Sequence, residues 1–293
     1  MKKKIKASTI VITSIVSTTA IAGGLAVGIL LGKLLSPKVA PDFGAIDTGL
    51  EDDYDALMTR FASDKNTDNY KPYEIANISW LNFAQLTHTH SVTLGTVEAS
   101  VVKQKVYGHD VRNGDSFFSE SLSYSSMKKC GTRFYQEGEG VKAYTPTDIK
   151  ENGTATWKED TLVSETLKGH EEKWGKTLDR PIIYIISSQT VTSESLTKTD
   201  TGYVVEMDLD PKKSVSRYVR QMVNISNLDR APEFSSVHLT FTLSNDFVIQ
   251  ELGVKESYVV YVVGKNASTG TLTQKFYTNS SETIPDLNTN YAY

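Results

Sequence analysis

His88 and His90 stand two residues apart at the head of an alternating stretch. Successive side chains of a strand point to opposite faces, so both imidazoles share one face with Val92 and Leu94. Two neutral imidazoles can hold zinc when a third and a fourth ligand arrive from elsewhere. His109 and Asp110, on the neighbouring predicted strand, are the available partners, and a metal-dependent hydrolase is the activity such a site would serve. A ligand pair alone is a weak signal, and the competing reading makes these residues part of an ordinary sheet edge. His238 alternates with Thr240 and Thr242 opposite an apolar face and reads as solvent-facing. His170 falls on the apolar side of a predicted helix and reads as a hydrogen-bonded core residue.

The other reactive residue types lack the arrangements their chemistry needs. No Gly-x-Ser-x-Gly elbow exposes a serine hydroxyl. Cys130 is the only thiol; Lys128 and Lys129 beside it could lower its pKa, but burial is the usual fate of a lone cysteine. Gly138-Glu139-Gly140 runs into strand residues and reads as a turn, not a phosphate loop. Asp208 and Asp210 share a strand face, yet no calcium-loop glycine and glutamate follow, and Asp210 reads as a helix cap. The sequence therefore assigns no catalytic residue, no metal and no cofactor, and the expectation is a protein that is not an enzyme.

A stripe of cations offers a binding chemistry instead. Lys213, Arg217 and Arg220 recur at i, i+4 and i+7 along a predicted helix over 211–226, opposite Val215, Tyr218 and Met222. Such a face could contact lipid headgroups; the competing reading is a solvated helix face. The surroundings sharpen the question. Lys2, Lys3, Lys4 and Lys6 precede a charge-free run of 26 residues, Ala7–Gly32, and a helix of about 20 apolar residues crosses a bilayer. Lysines stay on the cytoplasmic side, so residues 36–293 are expected outside the cell membrane, on a single-pass anchor at 1–35 and a linker at 36–47. A cleaved signal peptide is the rival, with a shorter apolar region of about 7–15 residues. The five lysines of residues 1–33 are matched by no acid there, so the remainder carries a formal charge of about −9 against −4 for the whole chain. That balance argues against a nucleic-acid partner, which needs a basic face. One cysteine permits no internal disulfide, which is compatible with a bacterial cell-surface setting.

The elements that must carry these residues follow from periodicity. Thr48 and Glu51 have capping-box spacing, predicting a helix over 48–62 with Leu50, Tyr54, Leu57, Met58 and Phe61 on one stripe. Pro72 opens a second helix to about Leu86, apolar around most of its circumference. Strands are predicted at 88–98, 100–109, 116–126, 130–137 and 140–145, separated by turns such as Asn113-Gly114. A helix-like piece follows at 159–174, then a strand from Pro181 through Ile186 buried on both sides. Tyr203–Leu209, Val237–Ser244, Gln250–Gly264 and Thr271–Thr278 complete the strands, and 279–293 is expected to fray. The fold class is α+β: a single large, curved antiparallel sheet spanning 48–278 with amphipathic helices on one face. Tyr203, Val205, Met207, Val237, Leu239, Phe241 and Leu243 are its inward residues, a register that a one-residue slip would invert.

Through the run Val92–Tyr144, and through Tyr203–Pro211 followed by Val237–Val263, the order of elements resembles the bacterial lipoprotein-carrier (LolA-like) half-barrel. The resemblance covers about 49–278. It implies a strongly bent sheet with helices in its mouth around an apolar cavity for acyl chains. Many such lipoproteins carry a lipidated cysteine after the signal, where this chain has an apolar run. A tethered protein cannot diffuse between membranes, so the implied role is a lipid handler at the membrane. The leading expectation is thus a binding module for an apolar or amphipathic ligand, contacted by Tyr203, Val205, Val237, Leu239 and Phe241, with Lys213, Arg217 and Arg220 at headgroups. A structural or interaction subunit of a membrane-associated assembly is the alternative.

Overall fold

Alternation of period two runs through most of the chain and builds one sheet. The computed structural model describes residues 41–293 apart from 44, 100–101, 227 and 262–264. The expected anchor at 1–35 and the first part of the linker lie outside the described residues. Among the described residues no helix is long and apolar enough to cross a membrane.

Thirteen strands and four α-helices are described. The strands are β1 (His88–Ala99), β2 (Val102–Asn113), β3 (Ser116–Tyr124), β4 (Lys129–Glu137), β5 (Gly140–Tyr144), β6 (Asp148–Ile149), β7 (Ala155–Thr156), β8 (Val163–Thr166), β9 (Val191–Lys198), β10 (Gly202–Leu209), β11 (Glu233–Ser244), β12 (Ile249–Tyr261) and β13 (Lys265–Thr278). The helices are α1 (Tyr54–Ser63), α2 (Pro72–Ala84), α3 (Leu167–Trp174) and α4 (Ser216–Ser226). Eleven strands form one sheet in the order β8-β5-β4-β3-β2-β1-β13-β12-β11-β10-β9, and β6 and β7 pair separately. Every pairing is antiparallel. Two meanders therefore meet where the first strand, β1, pairs with the last, β13.

The expected register holds. Val205, Met207, Val237, Leu239, Phe241 and Leu243 are buried on the helix-bearing face, and Tyr203 is half-buried there. Phe241 is 0 % exposed while its neighbour Thr240 is half-buried. These residues pack with α1, α2 and α4 in the main core. Burying an aromatic or aliphatic side chain stabilises by roughly 1.5–3 kcal/mol, so this cluster fixes which face of the sheet the helices cover.

Several elements differ from expectation, each for a readable reason. The first helix begins at Tyr54, where the Asp53 carboxylate accepts from the Ala56 amide at 2.9 Å. Thr48 and Glu51 close only a turn, because the Glu51 carboxylate binds Arg180 at 2.8 Å and Arg217 at 3.1 Å. Residues 181–186 are buried as expected but form no strand. Their polar backbone is met by other elements: the Ile185 amide donates to the Ser214 carbonyl, and the Asn77 side-chain amide donates to the Ile186 carbonyl. Residues 159–174 split into a short 3₁₀ turn, the edge strand β8 and α3, which Thr166 caps by accepting from the Gly169 amide. After Asp210, residues 211–215 are turns and the helix starts only at Ser216.

Residues 279–293, expected to fray, make specific contacts. They lie across the outer face of β1–β4, where the Arg133 guanidinium donates to the carbonyls of Leu287 and Thr289. Arg133 also pairs with Glu120 directly opposite it on β3, and both side chains are almost fully buried. The Tyr293 hydroxyl donates to Glu120 at 2.6 Å. Gly153, at φ 81°, lets this ring approach: a Cβ there would lie 2.6 Å from it. A polar-looking tail is thus ordered by two tyrosines and one buried cation.

Candidate functional site

The middle of the sheet, where the two meanders meet, is incompletely covered. A cavity of about 230 Å³ lies between the helix-bearing face there and a roof made by α4 and the segment 181–184. Its two sides differ in chemistry. Toward β12 and β13 the floor is Leu252, Val254, Tyr258, Val260 and Leu272, and Met222 and Ile225 hang from α4. Toward β1–β3 the floor holds Thr93, Gln104, Asp110, Ser119, Ser121 and Ser123 beside Val97 and Val106. Part of that polar side is internally satisfied: the Ser91 and Ser119 hydroxyls donate to Asp110 at 3.0 and 2.6 Å, Gln274 donates to Ser91, and Gln104 donates to Ser123. An occupant with one apolar and one polar side matches these walls.

A further acid sits just behind the wall, bonded to two phenols that line it. Glu256 points inward from β12, in line with Val254 and Tyr258, and is only 3 % exposed. The Tyr184 hydroxyl donates to one of its oxygens at 2.9 Å and the Tyr218 hydroxyl to the other at 3.2 Å. Burial pushes its pKa up to about 7 against the pull of those two donors. Burial holds both phenols well above 10, so they remain donors. Gly270, opposite on β13, makes the space: a Cβ there would come within 2.8 Å of the Glu256 side chain.

The residues expected to touch ligand occupy another place. Val205, Val237, Leu239 and Phe241 are sealed in the main core, with Tyr203 at its margin stacked on Phe247 at 5.0 Å. None of the five borders the cavity. The expected headgroup stripe is mostly enclosed. Only Lys213 is exposed, 3.8 Å from Asp210. Arg217 is 3 % exposed and binds Glu51, Glu171 and the Gly175 carbonyl. Arg220 is buried against the carbonyls of Glu172, Phe43 and Ala45 and over the Phe43 ring. Counting helical positions puts these cations on a solvent face; the chain before α1 and the start of α3 pack on that face and enclose them. An open groove of about 630 Å³ runs beside them, between residues 43–47 and α4.

The histidines part company. Asp110 faces the cavity side of the sheet, whereas His90 and His109 stack on the outer face with planes 7° apart. Glu282 lies 2.7 Å from His109 Nε2 and 3.4 Å from His90 Nε2. Tyr277 and Tyr291 extend the stack at 4.3 and 3.7 Å, and His88 turns to Thr87. Among the described residues no cluster of His, Cys, Asp and Glu is arranged to hold a metal. His238 pairs with Asp208 at 2.8 Å on the outer face, as its alternation suggests. His170 is buried and bonded to Glu165 at 2.8 Å, and Cys130 is buried.

No family model and no curated protein sequence matches the chain. Among solved structures it is similar to a DUF1329 family protein from Desulfovibrio piger, at 7 % identity and a TM-score of 0.29, over 72 % of this chain and 93 % of that one. It is also similar to the Pseudomonas aeruginosa MucA/MucB complex, at 4 % identity and a TM-score of 0.13, over 72 % and 99 %. A structure of MucB in complex with MucA(peri) aligns at 7 % identity and a TM-score of 0.10, over 68 % and 92 %. Overlaps this loose carry no argument, so the cavity itself is the basis for any reading of function.

Proposed function

We propose that this protein is a non-enzymatic binding module, held outside the cytoplasm by its N-terminal apolar run, that takes part of an amphipathic, lipid-like molecule into the cavity under α4. The observation that supports this reading is the mixed lining of one cavity, chiefly apolar on β12–β13 and rich in hydroxyls and amides on β1–β3, where Val97 and Val106 also reach it. Sites for small molecules usually span about 300–1,000 Å³. A volume of about 230 Å³ suits one acyl chain or a short segment of it, not a whole lipid. The large antiparallel sheet with helices on one face supports a LolA-like arrangement.

The test is photo-crosslinking. A long-chain alcohol bearing a diazirine is added to the full chain in lipid nanodiscs, and adducts are mapped by mass spectrometry. Adducts on Met222, Val254 or Leu272 are expected. Ser121→Trp, which fills the polar side of the cavity, should abolish them while leaving the thermal transition in place. Adducts confined to residues outside the cavity, or unchanged in Ser121→Trp, would overturn the reading.

A further inference from the structure

Glu256 joins three elements around the cavity through its two hydrogen bonds. Its backbone belongs to β12 in the floor, Tyr218 belongs to α4, and Tyr184 belongs to the crossing segment, the last two forming the roof. The ionisable groups facing the carboxyl are Tyr184, Tyr218 and Tyr258. The nearby cations are engaged elsewhere: Lys176 at the cavity donates to the Arg180 carbonyl, Arg217 binds Glu51 and Glu171, and Arg220 binds main-chain carbonyls. Across the ladder Glu256 meets Val237 on β11 and Gly270 on β13. No described cation therefore compensates a charge at this position, and a buried unpaired carboxylate is costly.

We propose that Glu256 is a proton-operated latch on the cavity: protonated, it accepts from one phenol and donates to the other, which keeps α4 and the segment around Tyr184 on β12, and ionised, its buried uncompensated charge draws in water, so that α4 lifts and the cavity opens. The latch concerns the same site as the proposed function and rests on that reading only for its consequence, ligand entry. Opening exposes the carboxyl, whose ordinary value is 4.5 against about 7 when buried. Opening therefore becomes about tenfold easier for each pH unit between those two values and levels off above them. A cavity that closes on acidification and loosens near neutrality is the result.

Hydrogen exchange of the full chain in nanodiscs tests this, corrected for intrinsic rates, at pH values spanning 4.5 to 7. Protection of the Ser216–Ser226 amides should fall across that interval while amides of Ser116–Tyr124 in β3 hold theirs, since the release is local. Glu256→Gln should keep α4 protected throughout. Tyr218→Phe removes one donor to the carboxylate and should move the upper end of the transition to higher pH, which keeps the proposal testable if Glu256→Gln folds poorly. Loss of protection in α4 and β3 together, a flat α4 response in wild type, or an equal response in Glu256→Gln overturns the latch. Crosslinking by the diazirine alcohol, run in parallel, separates the two readings. A responding α4 with no cavity adduct at any pH leaves the latch standing and removes the ligand. Cavity adducts beside a flat α4 response remove the latch alone.

Discussion

Replacing Glu256 by glutamine should make this protein more stable at neutral pH, against the rule that most substitutions destabilise. Burial raises the carboxyl from 4.5 to about 7 in the folded state. A raised carboxyl pKa means that the folded state binds the proton more tightly than the unfolded one. The stability contributed by the neutral acid is then fully present below 4.5, declines as pH rises, and is gone above about 7. At about 1.4 kcal/mol for each pH unit the span is worth roughly 3 kcal/mol. The substituted glutamine keeps the shape, remains neutral, and can still accept from one phenol. Urea unfolding at a series of pH values should therefore show the two proteins within about 1 kcal/mol of each other at acid pH, where a single neutral hydrogen bond is the difference. The variant should draw ahead by roughly 3 kcal/mol near neutrality. Other groups titrate nearby: burial and the neighbouring His109 lower His90, which makes stability rise with pH, the opposite sense. They cancel in the difference between the two proteins. If the difference is flat from acid to neutral pH, Glu256 is not held neutral by burial and the reasoning fails.

Glu165 should act in the opposite sense: burial would raise it, but hydrogen bonds from His170, Lys173 and Trp174 prevail and hold it at about 2. Stability that depends on it is present above 4.5 and lost as pH falls toward 2, so Glu165→Gln should flatten acid unfolding there, read by near-UV circular dichroism. Arg133→Met should cost about 3–5 kcal/mol in urea unfolding, because it strands a buried Glu120, whereas Arg133→Met with Glu120→Leu should recover much of that loss. Arg217→Gln should also destabilise, since Glu51 keeps only Arg180 while Glu171 and the Gly175 carbonyl lose their donor; an effect within about 0.5 kcal/mol would restore the picture of a solvated face. Tyr291→Ala with Tyr293→Ala should release residues 279–293, seen as new protease cleavage there while β11–β13 stay protected.

How much of this is legible in the sequence depends on whether the determining contact is local. Alternation at Val237–Ser244 and Tyr203–Leu209 identifies both strands and their buried faces, because period two is a property of the chain itself. Strand β9 escapes, since Thr192, Ser193 and Ser195 carry no apolar alternation and it is an edge strand paired on one side only. The run Ile182–Ile186 looks like a central strand because burial on both sides is the same whether the neighbour is a ladder or a helix; only Asn77 and Ser214, distant in sequence, decide it. The cations of α4 are misplaced for the same reason. Helical spacing tells which residues share a face, and not that residues 43–51 and α3 will cover it.

The cavity wall shows where the sequence does hold a usable sign. On β12 the buried inward positions read Leu252, Val254, Glu256, Tyr258 and Val260, and on β3 the buried positions of the outer face include Phe118, Glu120 and Leu122. In each series one acid interrupts an apolar row at the position where period two demands burial. A buried acid must be paired, neutralised or solvated, so each interruption announces a partner. Glu120 finds Arg133 one strand away, a cation that also organises the tail and serves stability. Glu256 finds only phenols, which can share a proton's hydrogen bonds but cannot neutralise a charge. That difference in partner separates the two acids: the first closes a structural account, and the second leaves a free-energy difference between protonation states at the border of an amphipathic cavity. Sites of that kind are where perturbed carboxyls tend to do work, and it is the reason the inward face of β12, not the histidine pair at the head of β1, is the place to look for function.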